Sequence, residues 1–319
     1  MLRRPFLASC AAHLAAMLPF TRRVAWPAPG ARTVRREPFG RLEQVADGVW
    51  ALVSTPLGGD FTTVANGGIV AGRDGVLVVE GLFQKEGARW LAEQARALTG
   101  RWPSHVAITH YHADHANGVP GYQPEGSDAP AVFVTGVTRR LAMDRNTPSD
   151  PARLALLGGA TPIAATRETT VDLGGRRVTL TPLDGHTASD LVVTVEDPRV
   201  VFAGDLFWNA MFPNYVDAVP SRLAAAARRL RAMDSARWVP GHGPLAGAAD
   251  LDRYLALLDL VEDHARRSSQ AGATPAEAAN ALELPPSLGE WALFNRSFFE
   301  RAMRAWYGEL RREPEAGGG

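Results

Sequence analysis

The sequence predicts an α/β layered fold, and three features carry that prediction. Short apolar runs rich in Val, Ile and Leu read as buried strands. Twice, a succession of such strands is followed by stretches of helical period, which suits sheets covered by helices. From residue 249 onward the pattern is helical throughout. The 319 residues suffice to bury a substantial core, and no internal repeat is visible.

The elements follow in order. Residues 49–53 read as a strand, and 62–71 carry a turn at Asn66-Gly67-Gly68 before Ile69-Val70. Residues 75–79 form a continuous apolar strand that ends in Glu80 and Gly81. Trp90, Leu91, Ala95 and Leu98 have helical spacing and predict a helix over 86–98. A strand at 105–109 and another at 131–135 follow, then a helix over 137–145. Residues 146–168 have no clear period and read as a loop or a short helix near the site. Strands are expected at 177–183, 190–196 and 199–203. Ser221 reads as the N-cap of a helix with Leu223, Ala227, Leu230 and Met233 on one face. Trp238-Val239 is a short strand leading into Pro240-Gly241-His242-Gly243-Pro244. Helices are expected over 249–268, over 275–282 behind Thr274, and over 288–310. In the last, Trp291, Phe294, Phe298, Ala302, Met303, Trp306 and Leu310 form one stripe, read as core packing. Residues 313–319 read as a frayed tail.

Composition narrows the function classes. Hydrophobic residues at 46% and charged residues at 21% are ordinary for a globular chain of one large or two small domains. The 34 basic and 34 acidic residues cancel, which argues against a general nucleic-acid binder. Cys10 is the single cysteine, so no intrachain disulfide and no thiolate metal site can form. Lys85 is the single lysine; arginine supplies the other basic residues.

Residues 1–36 contain seven arginines and no acid. Arg3-Arg4-Pro5-Phe6-Leu7, a mostly apolar stretch over 8–20 and small residues near Ala28-Pro29-Gly30-Ala31 read as an export signal. The Arg3-Arg4 pair with Phe6-Leu7 resembles a twin-arginine signal and points to a periplasmic or otherwise exported protein, a cytoplasmic location being the alternative. Removal of residues 1–30 leaves 30 basic against 34 acidic residues, a net charge of −4. The apolar run is too short and interrupted to span a bilayer as a helix.

The chemistry concentrates in Thr109-His110-Tyr111-His112-Ala113-Asp114-His115, directly after Val106-Ala107-Ile108. Side chains alternate on an extended chain, so His110 and His112 point into one shared space. Asp114 and His115 follow where the chain turns toward a helix and reach that space from a second direction. Imidazoles and a carboxylate are donors for a divalent transition metal, and four this close suggest more than one ion. Three later points echo the pattern: His186 in Asp184-Gly185-His186-Thr187, Asp205 after Phe202-Ala203-Gly204, and His242 in its Gly/Pro turn. Each is a donor expected at a strand end beside Gly, where a rigid strand fixes the loop carrying a ligand. His105 and His264 read as surface residues.

This set, His110-x-His112-x-Asp114-His115 with His186, Asp205 and His242, resembles the metallo-β-lactamase superfamily over about residues 45–245. The resemblance implies a four-layer αβ/βα sandwich with extra C-terminal helices and the site along one edge. It divides the chain into an export signal (1–30), a catalytic domain (31–245) and a helical extension (246–319) packed on that domain. It implies that His110, His112 and His186 hold a first metal, that Asp114, His115 and His242 hold a second, and that Asp205 bridges them. Two Zn²⁺ are the expected cofactors, with iron the alternative. Such ions, about 3.5–4 Å apart, clamp a bridging hydroxide and stabilise a developing oxyanion. Asp114 is the expected catalytic residue, orienting that hydroxide or shuttling its proton.

The resemblance also has departures. Glu80 stands where the family often has Asp, and Asp205 where the true zinc β-lactamases usually show Cys or Ser. The reading therefore moves toward a dinuclear zinc hydrolase of a small ester, thioester, lactone or amide, of the glyoxalase II-like or periplasmic branch. An iron-dependent sulfur dioxygenase on the same scaffold is the alternative, and a β-lactamase a further one. A nuclease is disfavoured by the neutral charge, and a non-catalytic module by the complete donor set. Tyr111, Trp208, Asn209 and Tyr215 are the candidate lining of a substrate pocket; Asn117 and Thr187 read as supports of the ligand loops. A small-molecule substrate is expected, with no nucleic acid and no integral membrane segment after processing.

Overall fold

The computed structural model describes residues 31–312 except 234 and 236. The expected export signal and the C-terminal tail lie outside the described residues. Among those described, no helix is long and apolar enough to cross a membrane.

The chain opens as an antiparallel meander: β1 (Arg32–Glu37), β2 (Gly40–Ala46), β3 (Val49–Ser54), β4 (Gly67–Ala71) and β5 (Val76–Val79). Then come α1 (Lys85–Thr99), β6 (His105–Ala107), α2 (Ala113–Ala116), β7 (Ala131–Thr135), α3 (Gly136–Arg145), α4 (Pro151–Gly158) and β8 (Thr161–Ile163). The eight strands form one sheet in sequence order, parallel from β5 to β8. A second meander follows: β9 (Thr169–Asp172), β10 (Arg177–Leu183), β11 (Asp190–Glu196) and β12 (Arg199–Trp208). Next, α5 (Pro220–Ala232) returns the chain to β13 (Arg237–His242), which pairs parallel with β12 and makes a five-stranded sheet, β13-β12-β11-β10-β9. Last come α6 (Ala248–Gln270), α7 (Pro275–Ala281) and α8 (Ser297–Leu310).

Period-two alternation makes the layers. In β3, Val49, Ala51 and Val53 face the second sheet, while Trp50 and Leu52 pack with Ala88, Leu91, Ala92 and Ala95 of α1. In the second sheet, Val193, Val195, Val200 and Phe202 face inward, while Val192, Val201 and Ala203 meet α5 and α6. Both sheets are thus apolar on both faces, which explains their uninterrupted apolar runs. The order helix, sheet, sheet, helix is the expected αβ/βα sandwich. The helices α6, α7 and α8 share one apolar cluster with α5 and the outer face of the second sheet.

Several local expectations change. Gly67 and Gly68 begin β4 instead of forming a turn, because a Cβ on Gly68 would meet the Phe202 ring at 2.3 Å. The two sheets approach there through a missing side chain. Pro220, not Ser221, opens α5, and the Ser221 side chain instead bonds Glu309 of α8. The expected helix 288–310 begins only at Ser297. Before it, Ala292 pairs with residues 210–212: its N–H donates to Ala210 and its carbonyl accepts from Phe212, both at 2.9 Å. That pairing takes the backbone groups a helix would need. Residues 146–168, expected as a loop or a short helix, hold the short helix α4 and also the strand β8; β1, β2 and β9 had no sequence expectation, and edge strand β1 is largely exposed and has no apolar period to read. His264 is half-buried, 2.7 Å from the Ala278 carbonyl, and ties α6 to α7; His105 is half-buried against Phe133.

Candidate metal centre

The donors gather where strand ends and loops of both sheets meet. Ile108, the last apolar residue behind β6, is followed by His110 and His112; α2 then carries Asp114 and His115. His186 lies in the β10–β11 connection, and His242 ends β13. Asp205 lies within β12 rather than at its end, at an irregularity in the pairing with β13. Gly241 permits this: a Cβ there would lie 2.0 Å from Asp205 Oδ1.

Two groups result: His110, His112, His186 and Asp205 in one, and Asp114, His115 and His242 in the other. In the first, His112 Nδ1 lies 3.0 Å from both His110 Nε2 and His186 Nε2. In the second, Asp114 Oδ2 lies 3.2 Å from His242 Nε2 and 3.6 Å from His115 Nε2. Asp205 faces both. Its Oδ2 is 3.2 Å from His186 Nε2 and 3.9 Å from His110 Nε2. Its Oδ1 is 3.2 Å from His115 Nε2 and 3.4 Å from His242 Nε2.

The rings are held from behind. His112 Nε2 lies 2.9 Å from Asp217 Oδ2, which turns Nδ1 toward the other imidazoles. His110 Nδ1 is 3.0 Å from Thr109 Oγ1, whose hydroxyl donates to Glu80 Oε1 at 2.7 Å. The same Glu80 oxygen lies 3.0 Å from His115 Nδ1. Asp190 accepts the backbone N–H groups of His186 and Thr187 at 3.1 and 3.0 Å and fixes that loop. Asn66 donates to the Pro240 and Gly243 carbonyls at 2.9 and 2.8 Å and holds the turn around His242.

The electrostatics favour cations here. Burial and the neighbouring His115 hold His110 well below its ordinary value. Burial, against the pull of Asp205, brings His186 down to about 3, so these rings are neutral and offer lone pairs. Burial also works against His115 and His242, but the surrounding carboxylates outweigh it. They hold His115 well above the ordinary value and His242 up to about 9. Burial pushes Asp205 up, yet His242, His115 and His186 hold it well below the usual carboxylate range. Without a metal, protons serve these carboxylates; divalent ions would replace them. Asp205 Oδ1 is buried and makes no hydrogen bond of good geometry among the described residues; only the His115 and His242 rings, at 3.2 and 3.4 Å, face it, so a divalent cation would satisfy it more fully. The residues fit bound divalent metal.

A cavity of about 630 Å³ opens over Asp114, Asp205 and His242. Of the four candidate pocket residues, Trp208 lines it, its ring lying against His242 with centroids 4.0 Å apart. The other three are not among its lining residues. Tyr111 is turned away, donating to Asp217, and burial first and that bond second push its hydroxyl up to about 12. Asn209 donates to the Pro244 and Leu245 carbonyls at 3.0 and 3.3 Å and accepts from Arg253, so it fastens the His242 turn. Tyr215 is buried in the core beneath, beside Phe212. Phe61, Phe83, Asn214, Val216, Phe294 and Phe298 line the cavity instead. The sequence reading missed these, and it missed Asp217 and Asp190; none stands at a motif spacing, and only the apolar stripe holding Phe294 and Phe298 was visible.

The fold and donor set define a metal-dependent hydrolase. A family model described as the metallo-beta-lactamase superfamily matches residues 62–242, more than half of the chain, and the chain belongs to that superfamily. It is 26% identical over 234 residues to a hydroxyacylglutathione hydrolase of Parasynechococcus marenigrum, covering 71% of this chain and 83% of that protein. It is 22% identical over 274 residues to a linear primary-alkylsulfatase of a Pseudomonas species, spanning 51% of that protein and 71% of this one. Among solved structures, a metallo-beta-lactamase from Pontibacter korlensis superposes with a TM-score of 0.56 at 24% identity, covering 68% of this chain and 98% of that one. The stereoselective inverting sec-alkylsulfatase Pisa1 of a Pseudomonas species superposes with a TM-score of 0.65 at 17% identity, covering 87% of this chain and 51% of that one. These likenesses show the fold.

Proposed function

We propose that the chain is a dinuclear zinc hydrolase that adds water to the carbonyl of a small ester, thioester, lactone or amide. One observation carries the reading: the two oxygens of Asp205 face different donor groups, His186 on one side and His115 and His242 on the other. That arrangement supports a bridging carboxylate and two ions. His110, His112 and His186 would hold one ion, and Asp114, His115 and His242 the other. When bound, the ions supply Lewis acidity and lower the pKa of water from 15.7 toward roughly 7.

The chain's residues supply position and proton transfer. Asp114 lies on the cavity wall beside His242, placed to orient the attacking water and to pass its proton to the departing group. Water oxygen bonds to the carbonyl carbon, the carbon–oxygen, carbon–sulfur or carbon–nitrogen bond breaks, and the leaving group departs with the proton. Buried Glu80 and half-buried Asp217 keep the imidazole nitrogens aimed inward. The hydroxyacylglutathione hydrolase likeness supports a thioester or ester over an antibiotic amide. Export of the folded chain, read from residues 1–30, belongs to the same proposal.

Metal content of purified protein, followed by turnover of nitrocefin, lactones, S-lactoylglutathione and aryl phosphate and sulfate esters, tests this. Two zinc ions per chain and ester or thioester turnover that collapses in His112→Ala are expected. One iron and no zinc, or a His112→Ala variant as active as wild type, overturns it.

A further inference from the structure

An aromatic wall runs from the donor cluster to the cavity mouth. Trp208 lies against His242 with centroids 4.0 Å apart, and Phe298 meets Trp208 edge-on at 6.2 Å. Phe294 stacks on Phe298 at 6.4 Å, and Phe61 meets Phe294 edge-on at 6.2 Å. All but one of these rings, His242, are uncharged hydrocarbon or indole surfaces. The wall ends in exposed apolar side chains: Phe61 is 45% exposed, Phe83 37% and Val216 49%, and all three line the cavity. Exposed apolar groups gathered at a cavity mouth mark a place where something apolar binds.

Charge points the same way. Among the described residues, no Lys or Arg lines the cavity. Arg301 is engaged with Asn214 Oδ1 at 3.1 Å and with the Phe298 ring at 5.2 Å. Arg301 stands behind these two lining residues, so a substrate with carboxylates remote from the scissile bond would find no cation on the cavity wall itself. Phe294 and Phe298 belong to the C-terminal segment, beyond the residues 62–242 that match the superfamily. The pairing of Ala292 with residues 210–212, which holds the chain extended ahead of α8, sets Phe294 beside this cavity.

We infer that the substrate carries a linear, uncharged hydrocarbon chain on its acyl side, and that Phe294 and Phe298 set the chain-length preference. The inference rests on the ester-hydrolase reading of the same site, but the cavity wall can be read by binding alone. The probes are p-nitrophenyl esters of straight-chain acids from two to ten carbons, and the free straight-chain acids themselves. Water oxygen bonds to the acyl carbon, the ester carbon–oxygen bond breaks, and p-nitrophenol leaves with the proton. Each added methylene is expected to raise kcat/KM by about 4-fold until the wall is covered. The Kd of the free acids, measured by calorimetry on the metal-loaded protein, falls in parallel. In Phe294→Ala and in the exposed-rim variant Phe61→Ser, the ratio of eight-carbon to two-carbon kcat/KM drops by about 10-fold relative to wild type, in line with the lost contact area. Because the ratio is taken within each variant, loss of folded protein cancels. A flat series in both kcat/KM and Kd overturns the inference while leaving the hydrolase intact. S-lactoylglutathione turned over faster than every apolar ester overturns it too. No turnover of any ester, with Kd still falling along the acids, supports the cavity assignment and overturns the ester-hydrolase reading instead.

Discussion

Glu80 Oε1 lies 3.0 Å from His115 Nδ1, and the same oxygen receives the Thr109 hydroxyl that backs His110. One buried carboxylate thus braces both donor groups. Glu80 adopts φ of 76°, a left-handed conformation that costs a non-glycine residue about 1–3 kcal/mol. Its backbone is held there by Ala107, which accepts its N–H at 2.8 Å, and by the Tyr122 hydroxyl, which donates to its carbonyl at 2.8 Å. Glu80→Gln keeps the volume and removes the charge. Metal affinity is expected to fall about 10–100-fold with the fold retained. Competition with a chromophoric chelator measures this, and wild-type affinity would show that Glu80 does not support the site.

Metal removal is expected to lower thermal stability. An ion that binds only the folded chain stabilises it by about 4 kcal/mol at a thousand-fold excess over Kd. Melting curves of chelator-treated protein, before and after zinc is restored, test this. Identical melting temperatures would contradict the metal pair, as would full recovery in Asp205→Asn.

Arg153 is buried, and its guanidinium donates to Asn117 Oδ1 and the Asn146 carbonyl at 2.8 Å and to the Pro148 carbonyl at 3.0 Å. It ties α4 to Asn117, the residue closing α2, which carries Asp114 and His115. Arg153→Met leaves three acceptors without their donor and is expected to destabilise by about 3 kcal/mol. Urea unfolding measures it; a change under about 0.5 kcal/mol, ordinary for a surface substitution, would rule out this role.

His105 supplies a pH dependence away from the metal donors. Burial against Phe133 holds its pKa below the ordinary 6.5. Its folded pKa is depressed, so the unfolded chain binds the proton more readily. Its stabilising neutral form is fully present above about pH 6.5, and stability is lost as pH falls below that. His105→Gln is expected to lose less stability than wild type between pH 7.5 and 5.5. Urea midpoints at the two pH values decide it, and parallel losses in both proteins would refute it.

Much of the fold is legible because buried strands carry their own signature. The runs at 76–79, 190–196 and 199–203 are apolar on both faces, as a sheet covered on both sides requires. Thr274 and Glu277 form the capping box that opens α7. Edge strand β1 was not legible, because an exposed strand has no apolar period. The break before α8 was not legible either, since it depends on Ala292 pairing with residues 80 to 82 positions earlier, at 210–212.

The donors were readable as residue types at short spacing: His110, His112, Asp114 and His115 declare themselves within six residues. Local chain geometry dictates that His110 and His112 share a side, and glycine beside His186, Asp205 and His242 marks turns or close approaches. What tertiary structure alone decided is which oxygen of Asp205 meets which histidine, which carboxylates brace the rings, and which aromatics line the cavity. Asn209 and Tyr215 follow Asp205 closely in sequence yet serve the turn and the core; Phe294 follows it by 89 residues and lines the cavity. Local sequence fixes the direction of a side chain over a few residues, whereas the neighbours it meets are set by the packing of two sheets and their helices.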